Sequence, residues 1–148
     1  MSLGRSALLA EVFNREDGCP PPVDLEQEKR HGDFIRDNCA WIPVCTDVSD
    51  GGIALAATEL AMAGGVGVRL DRADTPFLFG EDQGRYLIAC NFDAAEALML
   101  AAGQAHVALE TIGAFTGDTL QFGDATAPLD QIQAIFDTSF AEKLGLSQ

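Results

Sequence analysis

Basic residues are scarce in this chain of 148 residues: nine Lys and Arg stand against 23 Asp and Glu, a formal net charge of −14. Nucleic acid and anionic membrane surfaces both require a basic footprint, so neither is an expected partner. Long apolar runs are missing too. No stretch reaches the roughly 18–20 residues needed to span a bilayer. The N-terminus lacks the basic head, apolar run and cleavage site of a signal peptide. These absences predict a cytoplasmic protein with no membrane anchor. Cysteine is sparse and irregularly placed: Cys19, Cys39, Cys45 and Cys90, with no C-x-x-C pair. That spacing excludes a zinc ribbon or a thioredoxin-like redox motif, and the setting argues against a disulfide framework. Cys45 and Cys90 lie in apolar runs and read as small core residues. Cys19 and Cys39 are the candidates for a reactive thiol. Histidine is limited to His31 and His106, neither at metal-ligand spacing from another His or Cys. His31 is expected on an exposed charged helix and His106 at a strand edge, and no catalytic triad can be built from them.

What is present is a packed globular chain, 47% hydrophobic and 22% charged, of a size that suits one domain. Residues 1–24 read as an N-terminal arm and proline-rich connector, and 25–148 as a single α/β domain. Ser6 to Phe13 suits a short helix. Pro20-Pro21-Pro22 suits neither a helix interior nor a central strand, so the chain around it is an extended connector. Asp24 is a good N-cap, with Gln27 completing a capping box, for a charged surface helix from about Leu25 to Asn38. Ala40 to Thr46 is rich in β-formers and reads as a strand, with Pro43 pushing it towards an edge. Gly52 to Met62 has one charge, Glu59, and predicts a helix buried on more than one side. Val66–Leu70 and Tyr86–Cys90 read as strands. Asp93 and Glu96 mark a capping box for a helix to about Ala102. His106–Ala114 and Thr119–Phe122 read as further strands. Pro128 starts a final helix with Leu129, Ile132, Phe136 and Phe140 as its apolar stripe, Ile135 beside them, and Gly145 just past its end. The order from Ala40 is β-α-β-β-α-β plus a strand and a terminal helix. That is the split βαβ, ferredoxin-like order, with helices flanking the sheet.

Two segments carry candidate chemistry. Asp47-Val48-Ser49-Asp50-Gly51-Gly52 links the end of a strand to the start of the buried helix. Free N–H groups at a helix start can hold an anion, and glycine permits close approach. It is not a P-loop: no Lys follows, and Asp47 and Asp50 would repel a phosphate without a metal or hydroxyl between them. Ordinary helix capping by Ser49 or Asp50 explains the same residues. The second segment is Phe79-Gly80-Glu81-Asp82-Gln83-Gly84-Arg85. Arg85 is suited to clamp a carboxylate or phosphate in bidentate fashion. A salt bridge to Glu81 or Asp82 that pins the start of the next strand explains it equally well.

Together these blocks carry a resemblance. Arg15-Glu16-Asp17-Gly18 with Pro20-Pro21-Pro22-Val23-Asp24, then Asp47 to Gly52, then Phe79 to Tyr86, resemble the C-terminal end of the ATP-using large subunit of the phosphoribosylformylglycinamidine synthase family. They occur in the family's order, and the similarity runs from about Leu3 to Ala141. The resemblance implies a C-terminal module like that of aminoimidazole ribonucleotide synthase, partly ferredoxin-like in fold. It implies de novo purine biosynthesis: formylglycinamide ribonucleotide, ATP and glutamine-derived ammonia become formylglycinamidine ribonucleotide. ATP and Mg2+ would serve the full-length enzyme, with neither certain in this chain. Its partners would be the N-terminal modules of the same chain, a glutaminase subunit and a small accessory subunit. The family's catalytic histidine and magnesium-binding acids belong to those other modules, so no catalytic or metal residue carries over. Asp47, Ser49, Asp50, Gly51, Gly52, Glu81, Gln83 and Arg85 carry over as ligand-side or interface residues. One departure is Thr46, where the family commonly has His, and a hydroxyl cannot replace imidazole as a base near neutral pH. Two alternatives stand beside this reading. One is a non-catalytic docking module that holds an auxiliary nucleotide. The other is a sister ATP-dependent synthase, such as selenophosphate synthetase or thiamine monophosphate kinase, against which the proline connector and F-G-E-D-Q-G-R count.

Overall fold

A computed structural model describes residues 2–145. The chain divides into two compact units. One takes in the chain up to Ala56 together with Asp74–Thr111; the other takes in Ala57–Ala73 and the chain from Ile112 onward. The mixed α/β class expected from the sequence holds, with the strands distributed over two sheets.

In the first unit, the N-terminal arm makes one π-helical turn at Leu8–Val12, then the prolines lead into helix α1, Leu25–Asp37. The Asp24 carboxylate accepts from the Gln27 N–H at 3.0 Å, satisfying one of the orphan donors of the first turn. The outer face of α1 carries Lys29–Asp33 and Arg36–Asp33 ion pairs. Its inner face buries Phe34. Strand β1 is shorter than expected, Val44–Asp47. Cys39–Trp41 instead forms a 3-10 turn, closed by the Ile42 N–H on the Cys39 carbonyl at 3.2 Å. Pro43 has no N–H to add to a ladder, so pairing begins at Val44. Strand β3, Tyr86–Ala89, runs antiparallel to β1 with Asp47 opposite Tyr86 and Val44 opposite Ala89. Between them come α2, Gly52–Gly64, strand β2, Val68–Leu70, and a short helix α3, Thr75–Phe79. The Phe77-Leu78-Phe79 run lies in α3, capped by Asp74. Helix α2 buries one broad face, with Ala57 and Ala61 fully covered and Ile53, Ala54 and Ala56 buried, but Leu55 and Glu59 are exposed, so it is less enclosed than its composition suggested.

Helix α4 spans Phe92–Ala105. Its cap is Asn91, which accepts from the Ala94 N–H at 2.9 Å, and not Asp93 as the capping-box pattern suggested. Asp93 lies inside the first turn, where a carboxylate still favours the helix dipole. Leu98 and Ala102 on α4, Phe34 on α1 and Ile42 form a buried cluster, with Ile35, Ile88, Cys90, Val107 and Leu109 against it. His106 is not in a strand: it is the left-handed C-cap of α4, with φ 55°. Val107 donates back to the Ala102 carbonyl at 2.9 Å. The chain after it packs on the cluster without pairing, and strand β4 begins only at Gly113, ending at Phe115.

The second unit holds the four-stranded sheet, in the order β4-β2-β5-β6. Strand β5 is Thr119–Phe122 and β6 is Ala125–Pro128. β2 pairs antiparallel with β4 and parallel with β5, and β5 pairs antiparallel with β6 through a two-residue turn. β6 has no counterpart in the sequence reading, because Ala-Thr-Ala-Pro has little β-propensity. It lies at the sheet edge, the position where a proline such as Pro128 is tolerated. Helix α5 therefore starts one residue later than expected, at Leu129, and runs to Lys143. Leu129 and Ile132 are half-buried, while Ile135 and Phe136 are exposed. The side chain of Phe140 lies outside the described residues. Among the described residues, no helix is long and apolar enough to cross a membrane.

The cap assignment is testable. Asn91→Ala should cost about 1 kcal/mol of stability in urea unfolding, from loss of the capping acceptor. Asp93→Ala should cost less. The reverse ranking would restore Asp93 as the cap.

Candidate functional site

The two candidate segments are brought together inside the first unit. The Asp47–Gly52 turn follows β1 directly, and the Glu81–Arg85 block precedes β3, so the antiparallel pairing of β1 and β3 sets them side by side. The Val48 N–H extends the ladder by donating to the Arg85 carbonyl at 2.9 Å. Above that pair the chain leaves the sheet at Gly51 and Gly52. Gly52 has φ +67°, and a Cβ there would stand 2.5 Å from the Leu78 carbonyl oxygen and 2.9 Å from the Phe79 Cα. The second glycine thus lets the helix start lie against the backbone of residues 78–80.

Glu81 joins the segments by chemistry as well as by packing. Its Oε1 accepts from the Gly51 N–H at 2.8 Å. The same oxygen accepts from the Ala7 N–H of the N-terminal arm, also at 2.8 Å. Both are charge-assisted bonds from backbone donors, the stronger class of hydrogen bond. The Gly51 amide, one of the donors expected to face an anion, is therefore already held by an anion from within the chain. The Gly52 N–H bonds the Ser49 carbonyl at 3.0 Å.

Arg85 is half-buried. Its Nη1 donates to the Gly80 carbonyl at 3.0 Å, closing the block on itself. Among the described residues it forms no salt bridge with Glu81 or Asp82. Burial pulls the guanidinium below its ordinary value, offset in part by the charges of Asp82 and Glu110. Asp82 Oδ2 and Glu28 Oε1 are buried without a hydrogen-bond partner among the described residues. Glu28 packs on Gly84, where a Cβ would meet its Cγ at 2.7 Å. Asp47, Ser49, Asp50 and Gln83 are exposed.

Groups to which the sequence assigned no place in the site also shape it. His31 is not a free surface histidine: it is half-buried, with its Nδ1 2.7 Å from the Gly84 carbonyl. A carbonyl only accepts, so Nδ1 carries the proton in this contact. The Ala7 N–H was also missed, because backbone donors leave no signal in a side-chain pattern. Cys45 is exposed on β1, contrary to the core role expected from its apolar neighbours. A two-stranded sheet covers only part of its surroundings. That partial burial, and then the Asp47 charge, push its thiol up and disfavour the thiolate.

Among the described residues, no three His, Cys, Asp or Glu side chains gather as a metal site. In the second unit a cavity of about 520 Å³ is lined by Met62, Pro128, Leu129 and Gln133. None of the residues expected from the sequence lines it.

Two outcomes follow from this geometry. Gly52→Ala should cost about 2 kcal/mol or more, since it meets backbone on three sides at positive φ. Gly65→Ala, at φ +61° with open space around it, should cost only about 1 kcal/mol. Equal costs in denaturant unfolding would remove the close-approach argument. Asp47→Asn should speed alkylation of Cys45 near neutral pH by less than about threefold, because burial is the larger cause and the Asp47 charge the smaller. A tenfold gain would make the charge dominant.

Comparison with known proteins places this geometry in a wider setting. A family model described as AIR synthase related protein, C-terminal domain, matches residues 2–123. Phosphoribosylformylglycinamidine synthase subunit PurL of Ruegeria sp. (strain TM1040) is 68% identical over 140 residues, which cover 95% of this chain and 19% of that protein. The protein of the same name from Roseobacter denitrificans is 61% identical over 142 residues, 96% of this chain and 20% of that one. The chain thus spans about a fifth of the length of the curated relatives it matches. Among solved structures, T. maritima PurL complexed with FGAR aligns with a TM-score of 0.64 at 18% identity, covering 74% of this chain and 21% of the other. A second structure, phosphoribosylformylglycinamidine synthase II from Thermotoga maritima, aligns with a TM-score of 0.65 at 17% identity over 86% of this chain. At such identities the structural likeness speaks for the fold.

Proposed function

The chain belongs to the family of AIR synthase related protein C-terminal domains, and from that membership we propose that it is the C-terminal module of a phosphoribosylformylglycinamidine synthase. The observation that carries this reading is the 68% identity to the Ruegeria protein across 95% of the chain. In this proposal residues 1–24 act as connector and 25–148 as one C-terminal-type module. The larger protein is a cytoplasmic ATP-dependent ligase of purine biosynthesis. It turns formylglycinamide ribonucleotide, ATP and glutamine-derived ammonia into formylglycinamidine ribonucleotide, with a glutaminase and a small accessory subunit as partners. The chain alone is inactive. In this proposal the Mg2+ ion is held by the other modules, as the resemblance implies.

What this module's own residues do is orient and hold. Arg85 is the positive group at the junction of the two segments, and its half-buried guanidinium suits a carboxylate or phosphate presented to that edge. Asp47, Ser49, Asp50 and Gln83 are exposed around the same junction and suit hydroxyl donors or a neighbouring module. A second reading, a docking module without direct substrate contact, is favoured by one observation: the Gly51 amide is already bonded by Glu81.

The test uses the longer polypeptide that carries this module. It should form the amidine from formylglycinamide ribonucleotide with ATP and ammonia, and the 148-residue chain alone should not. Turnover by the isolated chain would overturn the module reading. Within the active protein, Arg85→Ala should raise a substrate KM about tenfold or more if Arg85 meets a ligand, as expected for loss of a charge-assisted bond. An unchanged KM, with no heat on titrating ADP and magnesium into the chain, would leave the docking role.

A further inference from the structure

The bridging carboxylate carries an inference that does not depend on the reaction of the larger protein. We infer that Glu81 is a positioning residue that couples docking of the N-terminal arm to the shape of the Asp47–Gly52 turn. Three observations meet at this residue.

The arm is a closed loop with its own internal fastening. The Arg5 N–H donates to the Asp17 carbonyl at 3.2 Å. Gly4 lies so close to the other end that a Cβ would stand 2.2 Å from the Cys19 carbonyl oxygen. Ser6, inside the loop, is buried to 1% exposure. Its Oγ accepts from the Leu9 N–H at 3.4 Å and holds the single helical turn. The arm is therefore a folded unit that docks or leaves as a whole.

The docking contact is polar and specific. The Ala7 N–H stands at the start of that turn, where no intrahelical acceptor serves it. Glu81 Oε1, 74 residues away in sequence, supplies the acceptor. The Gly51 N–H is bonded to that same atom. The turn beyond it lies against the backbone of residues 78–80, immediately before Glu81.

A flexible glutamate loses substantial rotamer freedom when it is fixed. Two donors on one oxygen share that cost, so each bond favours the other. Release of the arm leaves Gly51 to hold Glu81 alone, and the turn loosens. Both segments carry residues assigned above to ligand or interface contacts, so the arm's state sets how those residues are presented.

Hydrogen exchange on the full chain tests the coupling, read on peptides across residues 5–10, 48–54 and 96–103. Ala7→Pro removes the arm's donor and puts its Cδ where Oε1 stands, so Glu81 must let go of the arm, and the native φ of −56° suits the proline ring. It should speed exchange at Gly51 about three- to tenfold, in the lower part of the range for coupled neighbours, with α4 unchanged. Gly4→Val, which forces the arm open from its far end, should do the same. Glu81→Ala should release both amides. Glu81→Gln, whose carbonyl oxygen still accepts, should restore most of the protection, which a purely steric role would not require. The inference is overturned if either arm variant frees residues 5–10 while Gly51 exchanges as in the parent. It is overturned equally if both amides stay protected in Glu81→Ala.

Discussion

One carboxylate oxygen organises the first unit's candidate site. Glu81 Oε1 takes the N–H groups of Ala7 and Gly51 at the same distance, 2.8 Å. Backbone donors at a helix start need an acceptor, and an acid is a strong one there. Other contacts surround that bond. The glycine turn is held against residues 78–80, Arg85 closes back on Gly80, and His31 and Glu28 fasten α1 to Gly84. The F-G-E-D-Q-G-R segment is thus the clasp that assembles the site as well as a candidate contact surface.

That arrangement changes how the Asp47–Gly52 turn is read. An anion site and a capped helix start draw on the same donors, and sequence cannot separate them. Here the donor at Gly51 is satisfied by a third route, a carboxylate from a remote loop. The ligand recognition proposed for this junction then rests on side chains, chiefly Arg85 with exposed Asp47, Ser49, Asp50 and Gln83 around it. Such a surface suits a module that works against other parts of a larger protein. The chain's span of about a fifth of its relatives agrees with that. So does the exposure of Phe92 and Leu100 on α4, 76% and 69%.

Much of the architecture was legible where side-chain periodicity or a cap dictates it. Asp24 and Gln27 marked the start of α1, and the nearly chargeless run after Gly52 marked a buried helix. The resemblance pointed to the family on the same residues that the structure brings together. Other elements were illegible for physical reasons. Asn91, not the capping-box acid, starts α4: Asn and Asp are both good caps, and the Glu96 match pointed to Asp93. Val107 and Leu109 alternate like a strand, yet their side chains pack against the cluster around Leu98, and the Val107 N–H turns back to the Ala102 carbonyl. Ala125–Pro128 pairs only because β5 offers it an edge. At the site, Glu81 and Arg85 could be named but not their partners: one bonds backbone N–H groups, the other a backbone carbonyl, and neither choice is written in residue types.

The most direct test of this account is a nuclear magnetic resonance measurement of through-hydrogen-bond coupling in the isotope-labelled chain. The Glu81 carboxyl carbon should couple to two amide nitrogens, those of Ala7 and Gly51. Coupling to neither, or correlation of the Gly51 amide with a different acceptor, would contradict the claim that Glu81 holds the turn and the arm together.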